Sequence, residues 1–451
     1  MIVLWFSTNA SLVYNVTVLY EFRLFSDLFI GALCFCPERV RRKQVGGANM
    51  SSSSFESAIS KAVEESIVSG ASCVAGRKDG AVFYQEAFGK VGAEPDAGPM
   101  KLDTVMWTAS CTKLLTSISA MQCVEKGLLE LEAPITKILT DFEHPNILIG
   151  FDDAGKAKLR KVGSSKQITL RHLLTHTSGF GYIGMNQDLT RFAAEVFSEP
   201  AAFTLDSPKY SCAVPLIAEP GEKWEYGIGL EWAGKMVERV SGKKLGEYMR
   251  ENIFDVLGMA STTFRPWDHP VTMARMGGRT WRDHATGKVT IDRSGWFSES
   301  ERPTEDYGGG GAYSCATDYV KVLMSLLMDD GKLLKSETVN EFFKPQVKDA
   351  TSLQKELTTG PISIGATNGL PKEDCKFNYA LGGALCTNGI EGHCGRGMMF
   401  WSGLPNSFWF IDREAGCCGM YLSHIFPPGD GPTQTLNAEF QRFVYSTSVS
   451  A

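Results

Sequence analysis

The stretch Thr104-Val-Met-Trp-Thr-Ala-Ser110-Cys-Thr-Lys113 puts a serine and a lysine three residues apart at the head of a run, Ser110–Lys126, that reads as a helix. Residues three apart on a helix share a face, so Ser110 and Lys113 point into the same space. The start of a helix also carries backbone N–H groups without intrahelical partners, which favour negative charge developing beside them. A lysine with the ordinary pKa of about 10.4 is a poor base near neutrality. Desolvation and a second cation lower it by up to ~3–5 units, enough for it to take a proton from a serine. Taken alone, an S-x-x-K match is more often a helix cap followed by a surface lysine.

Two further stretches carry chemistry. Pro220-Gly-Glu-Lys-Trp-Glu-Tyr226-Gly-Ile-Gly229 precedes a helix at Gly229–Ser241 and offers a tyrosine at the turn into it. Beside an ammonium, such a phenol can relay a proton. The plainer reading is a core tyrosine with a satisfied hydroxyl. His393-Cys-Gly-Arg-Gly-Met-Met-Phe-Trp401-Ser-Gly403-Leu404-Pro-Asn reads as a strand ending in a glycine turn. A strand edge beside a glycine can present a backbone N–H to an oxyanion, although an ordinary strand-to-turn junction looks the same.

Outward from these stretches the chain reads as globular. Its 451 residues are 43% hydrophobic and 21% charged, which excludes a disordered chain, a collagen and a multi-span membrane protein. The net charge is -6 with no basic stripe, so nucleic acid is not an expected partner. The 12 cysteines are scattered and form no CxxC pair, so they read as reduced, buried fillers of a cytoplasmic protein.

Strand-like runs at Ala71–Gly76 and Ala81–Ala87 flank an Asp79-Gly80 turn signal. Helical patterns then dominate residues 108–270: Leu170–Thr175, Thr190–Phe197, Gly229–Ser241 and Leu245–Phe254, with Asp318–Asp329 beyond. Strands return at Tyr379–Leu385, Met398–Trp401, Ser407–Asp412 and Gly419–His424, and a helix at Thr433–Tyr445 closes the chain. Strands at both ends with helices between predict an α+β architecture: one sheet built from the two ends, beside an inserted, mainly helical part. The sheet parts are expected at about 55–100 and 300–451, and the helical part at about 101–299. Residues 345–378, rich in Gly and Pro, are expected to be a long surface loop.

Residues 1–49 stand apart. They read as an extension or disordered tail, as a membrane anchor with the basic cluster Arg39–Lys43 behind it, or as a signal peptide lacking a basic start. The sequons at Asn9 and Asn15 matter only if this end is extracellular. From Met50, serines 51–54 open an amphipathic helix around Phe55.

The order S-x-x-K, tyrosine motif, Trp-x-Gly strand resembles the serine β-lactamase and penicillin-binding-protein superfamily. The class C-like branch, with family VIII carboxylesterases and the fungal lovastatin-pathway transesterase, is the nearest likeness. It extends over about residues 55–445, through Ile168-Thr-Leu-Arg-His-Leu-Leu-Thr-His-Thr-Ser-Gly179, Phe254-Asp-Val-Leu-Gly-Met259 and Gly308-Gly-Gly-Gly-Ala-Tyr-Ser-Cys-Ala-Thr-Asp318. The resemblance implies a β-lactamase/transpeptidase-like fold. It further implies Ser110 as nucleophile, Lys113 as its base, Tyr226 as proton relay, and an oxyanion hole from the N–H groups of Ser110 and Leu404. Tyr182, Trp401 and Gly403 would line the substrate pocket. Two departures count: Trp401-Ser-Gly403 stands where lactamases carry Lys-Thr-Gly, and Tyr226-Gly-Ile where many carry Tyr-x-Asn. Loss of the carboxylate-holding lysine disfavours β-lactams and favours esters or thioesters.

Rival sites are weaker. His172 and His176 sit i, i+4 but lack the glutamate of a zinc-protease motif. Gly308–Gly311 is not followed by Lys-Ser or Lys-Thr, no G-x-S-x-G elbow occurs, and His393 lacks an acid and nucleophile beside it. No feature demands a cofactor or a metal. The expected activity is acyl transfer from a thioester, carrier-protein or CoA bound, through acyl-Ser110 to a hydroxyl of a secondary metabolite. A carboxylesterase would use the same residues with water as acceptor. A non-catalytic binding or scaffold protein is the reading from another class, and membrane contact enters only if residues 1–49 form an anchor.

Overall fold

The structure, a computed structural model, describes residues 52–142, 145–196, 214–294 and 302–448. The expected tail or anchor at 1–49, with its sequons, lies outside the described residues. Among those described, no helix is long and apolar enough to cross a membrane.

Helix α1 (Ser52–Glu64) leads into the hairpin β1 (Gly70–Arg77) and β2 (Val82–Gly89). Then come α2 (Thr112–Glu125), α3 (Gly229–Ser241) and α4 (Ala316–Met328), joined by shorter elements. Five strands follow: β3 (Phe377–Tyr379), β4 (Ala384–Cys386), β5 (Met398–Gly403), β6 (Ser407–Asp412) and β7 (Cys417–Leu422). Helix α5 (Gly431–Ser448) is last. The strands form one antiparallel sheet in the order β2-β1-β7-β6-β5-β4-β3, so the early hairpin and the late strands meet at β1–β7, with Ser72 opposite Leu422.

Strands β5, β6 and β7 are buried along their whole length on both faces, because helices cover both sides of the sheet. A Cβ at Gly76 would come within 2.7 Å of Met324 on α4, and one at Gly419 within 3.2 Å of Phe440 on α5. Gly76 is opposite Cys418, so Gly419 faces the other way and the two helices take opposite sides. Phe55 and Ile59, on one face of α1, are fully buried against the α5 side, where Phe55 stacks on Phe443.

Helix α2 is buried on all sides from Thr112 to Cys123, which makes it a central helix rather than an amphipathic cover. It packs on α3, and the turn before it touches the end of β5. Sheet, α2 and α3 thus converge where Ser110 lies.

Four expectations need correction. Tyr379–Leu385 is not one strand: β3 and β4 fold back on each other, closed by the Ala380 N–H bonding to Gly383 O at 2.8 Å. Side chains at Gly382 and Gly383 would collide with Phe342 and the Phe400 carbonyl, so the glycines mark a tight turn. Residues 345–378 are not a bare loop but hold helices Thr351–Thr358 and Ser363–Ala366, with Leu353 and Leu357 fully buried at i, i+4. Their glycines and prolines lie outside Thr351–Thr358. The helical middle also contains a hairpin, Asn146–Phe151 with Ala157–Lys161, whose second strand is too rich in lysine and arginine to look like one. Leu245–Phe254 is an α-helix only to Met249, continuing as a π-helical turn.

Candidate active site

Ser110 lies in a 3-10 turn, Ala109–Cys111, that runs directly into α2. Ala109 holds φ +43, a left-handed conformation that costs an alanine of the order of 1–3 kcal/mol. The surroundings fix this strained turn. The Thr108 N–H and hydroxyl both donate to Ala312 O, at 3.0 and 2.8 Å, and Thr112 Oγ1 donates to Ala109 O at 2.7 Å.

Lys113, one helical turn on, is only 3% exposed, so the surface-lysine reading of the S-x-x-K match does not hold. Its Nζ donates to Ser110 Oγ at 3.1 Å and to Gly309 O at 2.6 Å. The glycine run set aside above as no phosphate loop therefore has a structural use. Gly308 O accepts from Thr116, Gly309 O from Lys113 and Gly310 O from Trp107. A Cβ at Gly309 would overlap the Glu231 carboxylate, which is why this position has none.

Tyr226 comes from the turn before α3. Its hydroxyl donates to Ser110 Oγ at 2.8 Å, and its ring lies 4.8 Å beneath Lys113 Nζ. Glycines let this turn approach the 173–181 segment. A Cβ at Gly227 would overlap Phe180 O, and one at Gly229 would sit 2.5 Å from Leu173 O. His176 braces the turn from both sides: its carbonyl accepts the Glu225 N–H at 2.9 Å and its Nδ1 accepts the Gly227 N–H at 3.4 Å. Burial, reinforced by the charge on Lys113, pushes this imidazole well below the usual histidine pKa and keeps it neutral.

Trp401 on β5 is 2% exposed and stands behind Tyr226, its indole N–H 3.4 Å from the phenol oxygen. Gly403 ends the strand against the serine turn, where a Cβ would overlap Thr108 O and sit 3.3 Å from Cys111 Sγ. Leu404 opens the turn that follows. Tyr182 is 5.4 Å from Lys113 Nζ by its ring and donates its hydroxyl to Glu231 Oε1 at 2.7 Å. Burial, then the Glu231 charge, pushes the Tyr182 pKa up, so the phenol keeps its proton.

The structure thus gathers Ser110, Lys113, Tyr226, Tyr182, Trp401 and Gly403 around one point. Of the rivals, His176 and the Gly308–Gly311 run belong to this site as its supports, and His172 and His393 lie elsewhere. His172 Nδ1 accepts the Thr169 N–H in a helix cap, and His393 sits in the turn between β4 and β5. Among the described residues, no cluster of three His, Cys, Asp or Glu side chains is placed to hold a metal. The sequence reading gave Gly309 and His176 no part in this site and did not single out Glu231. The only trace of Glu231 was an acidic residue in the first turn of α3.

The beta-lactamase family profile matches residues 55–441. A monacolin J acid methylbutanoyltransferase of Aspergillus terreus is 35% identical over 402 residues, covering 87% of this chain and 95% of that protein. A lovastatin esterase of Penicillium rubens is 32% identical over 388 residues, covering 85% and 96%. Among solved structures, a LovD6 mutant of simvastatin synthase from Aspergillus terreus superimposes with a TM-score of 0.82 at 33% identity, over 91% of this chain and all of that one (100%).

Proposed function

The chain belongs to the beta-lactamase family, and from that premise we propose that it is an acyltransferase working through an acyl-serine on Ser110. The observation that carries this reading is the pair of hydrogen bonds converging on Ser110 Oγ, from Lys113 Nζ at 3.1 Å and Tyr226 Oη at 2.8 Å. The similarity to a methylbutanoyltransferase supports a short acyl group and a small-molecule acceptor.

In the first half-reaction Lys113 takes the Ser110 proton directly or through Tyr226 while Oγ attacks the thioester carbonyl. The Oγ–C bond forms, the C–S bond breaks, and the proton passes to the departing sulfur. The Ser110 and Leu404 N–H groups receive the charge on the carbonyl oxygen. In the second half an acceptor hydroxyl gives its proton to the same pair and attacks the acyl carbon. The Oγ–C bond then breaks and Ser110 regains its proton. The thioester donor is carrier-protein or CoA bound in this reading. The nine described cysteines, all buried and free, support a reducing, cytoplasmic setting.

Hydrolysis differs only in the second nucleophile, and the likeness to a lovastatin esterase favours it as the second reading. Intact mass after a pulse of a short acyl thioester separates the two, with Ser110→Ala as control. An adduct absent from the control and persisting for minutes supports transfer. An adduct that decays as free acid accumulates supports hydrolysis. Turnover that survives in a folded Ser110→Ala protein would overturn both.

A further inference from the structure

Lys113 is a buried cation without a carboxylate in ion-pair reach among the described residues. The titratable groups that face it are His176 from the 172–179 segment, Tyr182, Tyr226 from the turn before α3, Cys111 and Glu231 on α3. His176 is neutral, Tyr182 keeps its proton, and burial pushes the Cys111 thiol up. Glu231 is the one carboxylate in the set.

Its surroundings are unusual for a glutamate. The residue is partly exposed, but the carboxylate end is enclosed: Oε1 accepts from Tyr182 and Oε2 is buried without a hydrogen-bond partner. The same carboxylate lies against Gly309, whose carbonyl holds Lys113 Nζ. Burial pushes the Glu231 pKa up, while the Lys113 charge and the Tyr182 hydroxyl oppose that. The first turn of α3 adds helix N–H groups that favour an anion there. A buried acceptor left unpaired is costly in a role that is only structural, where glutamine or an apolar residue would fill the space.

We propose that Glu231 is a positioning residue that acts through Lys113, holding Tyr182 and Gly309 in place and supplying the buried negative charge that faces the ammonium. The inference rests on the reading of Ser110 as the acylated residue with Lys113 as its base.

The test is Glu231→Gln, which keeps an acceptor for Tyr182 and the size of the side chain but removes the charge. Without its counter-charge the ammonium gives up its proton more readily. The acidic limb of the kcat/KM profile with p-nitrophenyl butyrate should therefore move to lower pH by about one unit or more, the scale of a nearby opposite charge. Glu231→Asp keeps the charge and should leave the limb in place, and it serves as the working variant if Glu231→Gln does not fold. In that case the inference requires the Asp profile to follow wild type, while a limb that moves overturns it. A Glu231→Gln profile that superimposes on wild type overturns it. So does a rate loss shared by both variants with the limb unmoved, since that would be a steric role alone. Ser110→Ala run alongside separates the two levels: a dead Ser110→Ala with an unmoved Glu231→Gln limb sinks only the Glu231 inference, whereas an active Ser110→Ala sinks the reading beneath it.

Discussion

Gly309 O accepts Lys113 Nζ at 2.6 Å, closer than the 3.1 Å between that nitrogen and Ser110 Oγ. A glycine carbonyl far along the chain, rather than the helix itself, fixes where the lysine ends. A Cβ at Gly309 would come within 2.1 Å of the Glu231 carboxylate, which would have to move from its place beside Tyr182. Gly309→Ala should cost about 1–3 kcal/mol of stability, as overpacking does, and at least ~10-fold in acylation rate. Thermal melts and single-turnover acylation check the two effects; an alanine variant with unchanged acylation refutes the fixing role.

Lys113→Ala and Tyr226→Phe should each lower turnover by at least ~10²-fold, the usual scale for a proton-transfer group. Steady-state kinetics on folded variants decides this, and a near-normal rate in either removes that residue from the proton path.

Trp401→Phe keeps the ring behind Tyr226 and loses only the indole N–H, 3.4 Å from the phenol oxygen. A neutral hydrogen bond of that kind contributes about 0.5–1.5 kcal/mol, so kcat should fall about 2- to 12-fold with KM little changed. A loss of several hundredfold would mean that the indole does more than steady the phenol.

His424 is buried, its Nδ1 3.2 Å from Gly277 O, and burial lowers its pKa from 6.5 to about 4. Below pH 6.5 the unfolded chain binds a proton here that the folded chain refuses. Stability therefore falls as pH drops from about 6.5 toward 4, by up to ~1.4 kcal/mol per pH unit from this group. Melting temperatures across that window should decline less steeply in His424→Asn. An identical slope in the variant would assign the decline to other groups.

Arg282 and Asp430 form a two-pronged buried pair, Nε to Oδ1 and Nη2 to Oδ2, both at 2.7 Å. It ties the strand Thr280–Asp283 to the head of α5. Asp430→Ala strands a buried guanidinium and should cost about 3–5 kcal/mol in denaturant unfolding.

Some features of the molecule are local enough to be written in order along the chain. The i, i+3 spacing of Ser110 and Lys113, the glycine-rich turn into Gly229–Ser241, and the alternation and apolar runs of the late strands each depend on neighbouring residues. They placed helix α3 to the residue, β6 likewise, and the mixed architecture as a whole. Where local signals misled, packing was the reason. Gly382 and Gly383 fold a strand-like run into a hairpin because Phe342 and Phe400 occupy the space of their side chains. Gly and Pro between 345 and 378 suggested a loop, while the buried Leu353 and Leu357 make part of it a helix.

By itself, then, the sequence determined the mixed architecture, most of its main helices and late strands, and which serine, lysine and tyrosine to look for. The elements follow from periodicity, and the three residues from the resemblance of their motifs to those of the family, since none of the motifs is decisive alone. Only the tertiary structure decided what surrounds them: Gly309, 196 residues from Lys113, His176 against the Tyr226 turn, and Glu231 behind both. Such contacts come from the burial of α2 between the sheet and α3. Their partners are set by which backbone can approach closely in three dimensions, and no short-range pattern records that.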